Sequence, residues 1–553
     1  MHLLFEEETY PKAELESLGL QRFYQETGET TAKVNYVGFY KDYAKDVSVF
    51  TLPKIFLVNG KVFGKYDPQL FVQKQAREIV SRSEFESARN LAEQIYFCLR
   101  QYQRERTAQT LLDRERGYAI KSNIGSKQAG SFEAMLALIA FNKTNPDLFV
   151  QERQIVESKN PRRINWKKTF ARNVPVEVNG EALYLDLMGY SKKGRKSDPL
   201  LVIFYSLLSE FRQYDPAITI DSSVEILPSN KLSRLRPKII LFLRGSGSLY
   251  FSDKFRQLHS LLQSYYFAER ATYGSQRIEF LFTDDFEIVF EKMVDSLISD
   301  DELLTQYKHL KDGKQIDHLF GEKDAFGGNR IIYIGDSKYY KDPNRVTGQR
   351  YKQFTYARNI IQENIYIINS GGETIYSRNY RDSISEGYNV TPNFFLLGVV
   401  NQDYTEGPGP VVEPDSQAPE FSCHFPNRLF DRDTLHVLYF KVDFLRLLRF
   451  YTGRQKRLSV TSQSLRDSVR AVVQTELTRY LGSKYEFFLL NLPPDFIKQN
   501  FKAFHGKLFS SPSVSPKYVL ALEKGQKENT EILSLLSKSG IPFDRIDLNI
   551  SRV

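Results

Sequence analysis

The stretch Ile331-Ile332-Tyr333-Ile334-Gly335-Asp336-Ser337-Lys338-Tyr339-Tyr340 constrains this chain more than any other. It reads as an apolar strand that ends in an acid, a small residue and a lysine. A helical pattern at residues 285–299 precedes it and another at 346–362 follows, with strand patterns at 316–320, 330–338, 365–368 and 394–400; residues 68–106 read as one long amphipathic helix, 401–426 as loop and 436–451 as an apolar-periodic helix. Such alternation of helix and strand predicts an α/β core. Strand side chains alternate, so Asp336 and Lys338 share one face.

A carboxylate and an ammonium at i and i+2 can hold a hard cation and orient a water beside it, provided a second carboxylate arrives. Asp317, at the start of the preceding strand pattern, supplies it through a hairpin at Gly327-Gly328-Asn329. Upstream, Glu287 and Glu291 stand at i and i+4 on one helical face, and either can face the same pocket. Downstream, Gln349, Lys352, Gln353 and Tyr356 lie on the next helix, where Gln353 can reach back toward a metal-bound water. The bland alternative makes Asp336 and Lys338 an ordinary surface pair at a strand end.

The ordered set of helix Glu, Asp317, Asp336-Ser337-Lys338 and a Gln-bearing helix resembles the PD-(D/E)xK nuclease superfamily, with Ile316-Asp317 in place of the Pro-Asp pair. Within it the chain is similar to restriction endonucleases of the LlaJI and McrC type. Their helix of the Phe-Glu-x-x-(Phe/Trp)-Glu kind is matched by Phe286-Glu287 through Phe290-Glu291, and their Asp-(Ser/Ala)-Lys-Tyr strand by Asp336-Ser337-Lys338-Tyr339. A weaker likeness extends to Leu52-Pro53-Lys54-Ile55-Phe56, residues 164–169 and Phe440-Lys441-Val442-Asp443-Phe444-Leu445.

The resemblance implies a mixed α/β multidomain protein whose nuclease core has a mixed central sheet flanked by helices. It favours Glu291 over Glu287 and implies Mg2+ held by Asp317, Asp336 and Glu291, with Lys338 orienting the attacking water. The expected activity is that of a type II-like restriction endonuclease acting on double-stranded DNA, with a cognate DNA methyltransferase in the same system and a homodimer compatible with it. Two alternatives remain: a McrC-like nuclease subunit that acts with a separate McrB-like GTPase, and a non-catalytic DNA-binding or assembly protein.

Length and composition bound the rest. At roughly 100–200 residues per domain, 553 residues allow several cores, divided on the sequence as 1–255 (DNA recognition or partner docking), 256–451 (nuclease) and 452–553 (small α/β region). A hydrophobic fraction of 41% and a charged fraction of 26% exclude disordered and fibrous chains. The net charge of +9 favours polyanionic partners. Two cysteines, Cys98 and Cys423, cannot build a secreted disulfide framework or a four-cysteine zinc site, which fits a reducing cytoplasm. The N-terminus turns acidic after Leu3-Leu4-Phe5, unlike an export signal, and no apolar run approaches 20 residues.

Basic residues between 152 and 197, among them Arg162, Arg163, Lys167 and Lys168, form a candidate DNA-contacting surface or a solvated loop edge. Arg446, Arg449, Arg454, Lys456 and Arg457 offer a second basic patch or a charged helix end. Gly189 to Ser197 nearly spells a phosphate-binding loop, but Arg195 intervenes before Lys196-Ser197, so nucleotide binding is not expected there.

Overall fold

The computed structural model describes every residue except 109–119, 127–128, 147, 149–152, 159–162, 195–197, 221–223, 272–277, 308–315, 327–329, 341–349, 373–375, 377–379, 419–420, 454–461, 511–517 and 549–553. Two compact units make up the chain: an insert unit of residues 1, 40–47 and 122–280, and a main unit of residues 2–39, 48–121 and 281–553. These boundaries run differently from the expected 255/256 and 451/452.

The main unit opens with β1 (His2–Phe5) parallel to β2 (Val47–Leu52), Leu3 facing Phe50 and Phe5 facing Leu52. The expected single helix over residues 68–106 is instead two short turns, Leu70–Gln73 and Ala76–Ile79, before α1 (Arg82–Ala108). The extended backbone of Lys74, Gln75 and Val80 interrupts the helix although the apolar spacing continues.

The insert unit is held by α2 (Ser131–Thr144), α3 (Pro199–Phe211), α4 (Ser229–Gly245) and α5 (Asp253–Ala271). They share a core of Leu138, Leu200, Phe204, Leu208, Leu243, Leu258 and Leu262. Helix α3 starts on a proline after Asp198, whose carboxylate accepts from Leu200 N, a standard way to satisfy an orphan first-turn donor. The Gly189–Gly194 segment of the near-phosphate loop is a strand antiparallel to Arg153–Ser158, not a strand-to-helix turn.

The main unit continues with α6 (Phe286–Ile298), β3 (His318–Lys323), β4 (Arg330–Lys338), α7 (Arg350–Asn369), β5 (Asn393–Val399), β6 (Val412–Pro414), β7 (Phe421–Cys423), β8 (Leu435–Asp443), α8 (Phe444–Tyr451) and α9 (Ser462–Lys484). The strands form one mixed sheet in the order β3-β4-β5-β8-β6, with β7 also on β8. β3 is antiparallel to β4, whereas β4, β5 and β8 are mutually parallel. A last sheet of four antiparallel strands includes Tyr485–Leu490 and Tyr518–Glu523.

Helices cover both faces of the mixed sheet. Ile332 and Ile334 of β4, Phe395 and Leu397 of β5, and Val437 and Tyr439 of β8 pack on Tyr356, Ile360 and Ile361 of α7. On the other face Tyr339, just past β4, packs on Phe286 and Phe290 of α6, with Phe444 stacked on Phe290 at 5.8 Å.

Two expected elements change type. Residues 436–451, expected as one helix, are β8 in their first half and α8 in their second, because a strand buried on both faces is as continuously apolar as a buried helix. Residues 365–368, expected as a strand, lie inside α7. The interval 401–426, expected as loop, contributes β6 and β7, both antiparallel to β8.

Candidate active site

The C-terminal end of β4 carries the site. Every residue of this strand after Arg330 is buried, including Asp336 at 3% and Lys338 at 4% exposure, which rules out an ordinary surface pair. Alternation puts both on the face of Ile332 and Ile334, toward α7. Lys338 Nζ forms an ion pair with Asp336 Oδ2, an oxygen with no other partner, and lies 5.8 Å from the centre of the Phe395 ring.

Asp317 reaches this pair through strand register. His318 faces Gly335, so one residue further out Asp317 comes opposite Asp336 and on the same face. The strand begins at His318, one residue after Asp317. The crossing is tight: a Cβ on Gly335 would lie 2.5 Å from the Phe394 ring and 3.2 Å from His318 Cβ. The Gly327-Gly328-Asn329 turn lies outside the described residues.

The electrostatics follow from the burial. The Asp317 carboxyl is held well above the usual carboxylate range, first by burial, then by the negative charges of Asp336 and Glu291 and by a hydrogen bond with Asp336. Burial lowers the Lys338 ammonium, but Asp336 and Asp317 outweigh it and leave Lys338 raised. Glu287 is raised mainly by burial, against the pull of Lys338 and Lys54, with Asp285 and Asp336 adding to the rise. Both helix glutamates therefore belong to the charge network. Glu291 bears on Asp317, while Glu287 feels the charges of Lys338 and Lys54.

Gln353 of α7 is fully buried, and neither its amide oxygen nor its nitrogen has a hydrogen-bond partner. Tyr356 and Ile360, three and seven residues on, belong to the α7 core, so Gln353 lies on the helix face that covers the sheet. Unpaired buried amides are costly, and this one keeps its capacity for a further ligand.

Lys54 and its neighbours are not prominent in sequence. Glu6 directly follows β1, and its Oε2 accepts from Lys54 N at 3.2 Å and from Tyr339 OH at 2.6 Å. The Lys54 ammonium pairs with Glu7 at 2.7 Å and stands 4.9 Å from the Tyr339 ring centre. The Leu52-Pro53-Lys54-Ile55-Phe56 stretch was the available signal, but only the contacts with Glu6 and Tyr339 give it a location next to the end of β4.

Among the described residues no three His, Cys, Asp or Glu side chains form a ready-made metal cage. A magnesium ion does not require one, since it is usually held by one or two carboxylates together with water and substrate phosphate. Two carboxyls that share a hydrogen bond and an unpaired Gln353 amide fit that demand. His318 turns away: its Nδ1 donates to Asp295 of α6 at 2.8 Å on the opposite face.

The remaining expected positions fall elsewhere. Lys167 is exposed and Lys168 half-buried on the short helix Trp166–Arg172 of the insert unit; Arg163 begins the strand Arg163–Ile164, and Arg162 lies outside the described residues. Arg446 is engaged by Glu406, Asp443 and the carbonyls of Gly407 and Gly409, and Arg449 by Glu406, so neither is a free basic group. Arg454, Lys456 and Arg457 lie outside the described residues. Cys98 and Cys423 are free thiols. Among the described residues no helix is long and apolar enough to cross a membrane.

No family model matches the chain, and no curated protein matches it. One solved chain is similar at 11% identity and a TM-score of 0.29, over 85% of this chain and 99% of that one. It is described as a refined half-complex from a tetradecameric assembly of Thermococcus gammatolerans McrB AAA+ hexamers with bound McrC. Likeness of that degree carries no argument about this chain.

Proposed function

We propose that this chain is a Mg2+-dependent endodeoxyribonuclease of the restriction type, hydrolysing phosphodiester bonds of double-stranded DNA. The observation that carries the reading is the meeting of half-buried Asp317 with buried Asp336 and Lys338 at one end of the mixed sheet. Burying two acids and a lysine together is costly and is rarely retained for stability alone. The basic balance of the chain and the sequence resemblance supply the choice of DNA.

Asp317 and Asp336 would hold the metal, with Glu291 as an outer or direct carboxylate. When bound, the ion supplies Lewis-acid stabilisation of charge on the scissile phosphate and the leaving 3′ oxygen. To bind the ion Asp317 would give up its proton, and the positive charge then held there would offset the repulsion from Asp336 and Glu291 that keeps the carboxyl protonated. Lys338 donates to the attacking water, holding it in line, and its fixed positive charge stabilises the charge that develops on phosphate oxygen. Gln353, with its amide uncommitted, orients the same water.

Plasmid cleavage by the isolated chain with and without Mg2+ tests the proposal. Wild type is expected to cut only with the metal, while Asp336→Ala and Lys338→Ala lose cutting by at least about 100-fold and keep DNA binding. Either variant cutting at the wild-type rate overturns the assignment. Cleavage without any nucleotide supports a self-sufficient enzyme, whereas a strict need for a separate GTPase and GTP rejects self-sufficiency and keeps the site.

A further inference from the structure

The excess positive charge of this protein is concentrated in one unit. The insert unit carries 25 Lys and Arg against 17 Asp and Glu, a net of +8, leaving 51 against 50 for the main unit. The unit that holds the candidate nuclease site is thus nearly neutral. Helix α4 carries the largest net charge of the insert's helices: its 17 residues contain five Lys and Arg and no acid.

The helix sorts these residues by face. Leu232, Ile239 and Leu243 are buried in the core, and Arg236 turns inward to lie 5.8 Å from the Tyr266 ring. Lys231, Arg234 and Lys238 are exposed at i, i+3 and i+7, followed by Leu241 at 71% exposure. No ion pair with a described residue engages Lys231, Arg234 or Lys238. A merely solvated face ordinarily mixes signs, as α1 does with Arg82, Glu84, Glu86, Arg104 and Glu105. On α4, three unpaired cations span about 10 Å of helix at 1.5 Å per residue.

We propose that the exposed face of α4 is a docking surface for the phosphate backbone of duplex DNA, contacted by Lys231, Arg234 and Lys238. Duplex DNA presents one negative charge per about 1.7 Å of axis, so a row of cations with no local counter-charge is complementary to it. These contacts position the DNA without reading its bases. The inference rests on the nuclease reading only for the identity of the polyanion.

The test is the salt dependence of binding of the full chain to a fluorescent 30-base-pair duplex in EDTA, where cleavage plays no part. Neutralising three phosphate contacts in the variant Lys231→Ala/Arg234→Ala/Lys238→Ala should reduce the slope of log K against log salt by about 2.7. Between 50 and 200 mM salt, wild type should therefore lose about 40-fold more affinity than the variant. Alanine favours helix at exposed positions, so the variant is expected to fold. Lys231→Arg/Lys238→Arg, which keeps the charges, should keep the slope. A control removing exposed Lys498, Lys502 and Lys527 of the main unit should leave the slope unchanged.

An unaltered slope in the α4 variant, an equal fall in the control, or no wild-type binding at 50 mM salt overturns the proposal. Loss of cutting in Asp336→Ala with the α4 slope effect absent sinks this inference alone. The slope effect with Asp336→Ala still cutting sinks the active-site reading alone.

Discussion

Asp295→Ala tests how the acids of the site are tied together. Asp295 lies near the end of α6 at 6% exposure, and its Oδ1 accepts from Ser299 Oγ and from His318 Nδ1, each at 2.8 Å. It follows Glu291 by one helical turn, while His318 follows Asp317 directly, so this one carboxylate staples the helix of Glu291 to the strand of Asp317. Alanine strands two buried donors at about 1–3 kcal/mol each. The expected local cost is about 3–5 kcal/mol, the range for breaking a buried pair. Hydrogen exchange of amides in 318–323 reads it directly, and this cost raises their exchange by roughly 10²–10⁴-fold. Asp295→Asn keeps an acceptor for both donors and should lose less than about 1.5 kcal/mol. In plasmid cleavage the alanine variant should lower kcat with little change in KM, since it displaces acids and touches no DNA contact. Protection of 318–323 within threefold of wild type would refute the staple.

Asp317→Asn should raise the melting temperature of the metal-free protein at pH 8 while abolishing cleavage. The folded-state carboxyl is raised above its unfolded value, so its favourable contribution is complete below about pH 3.9 and is lost as pH rises through the folded-state value. Melting in EDTA from pH 4 to 8 should therefore fall more steeply for wild type than for the variant. Gly335→Ala forces a methyl against the Phe394 ring and His318 Cβ and should cost about 1–3 kcal/mol in denaturant unfolding, with loss of cutting. Tyr339→Phe removes a donor to the buried Glu6 and should cost about 1–3 kcal/mol. It should also raise the Glu6 carboxyl further, because burial already pushes it up and the Tyr339 hydroxyl opposes that rise.

The main-unit elements most legible in sequence were those with a strong local pattern. Strand β4 begins and ends at the expected residues, and α6 lies within one residue of its expected ends, because each combines a periodic apolar face with polar neighbours. The pattern could not separate β8 from a helix, since its apolar residues face helices on one side and buried partners on the other. Nor could it divide the chain into units. The insert begins and ends inside segments whose local composition does not change, and only contact density marks residues 122–280 as a body of their own.

Alternation along β4 determines by itself that Asp336 and Lys338 share a face, because side-chain direction in a strand is a property of the backbone. That Asp317 lies opposite Asp336, that Gln353 is buried with its amide uncommitted, and that Lys54 stands beside Tyr339 were decided only by the tertiary structure. Pairing register and packing are relations between distant segments. No single segment contains the energy that selects them.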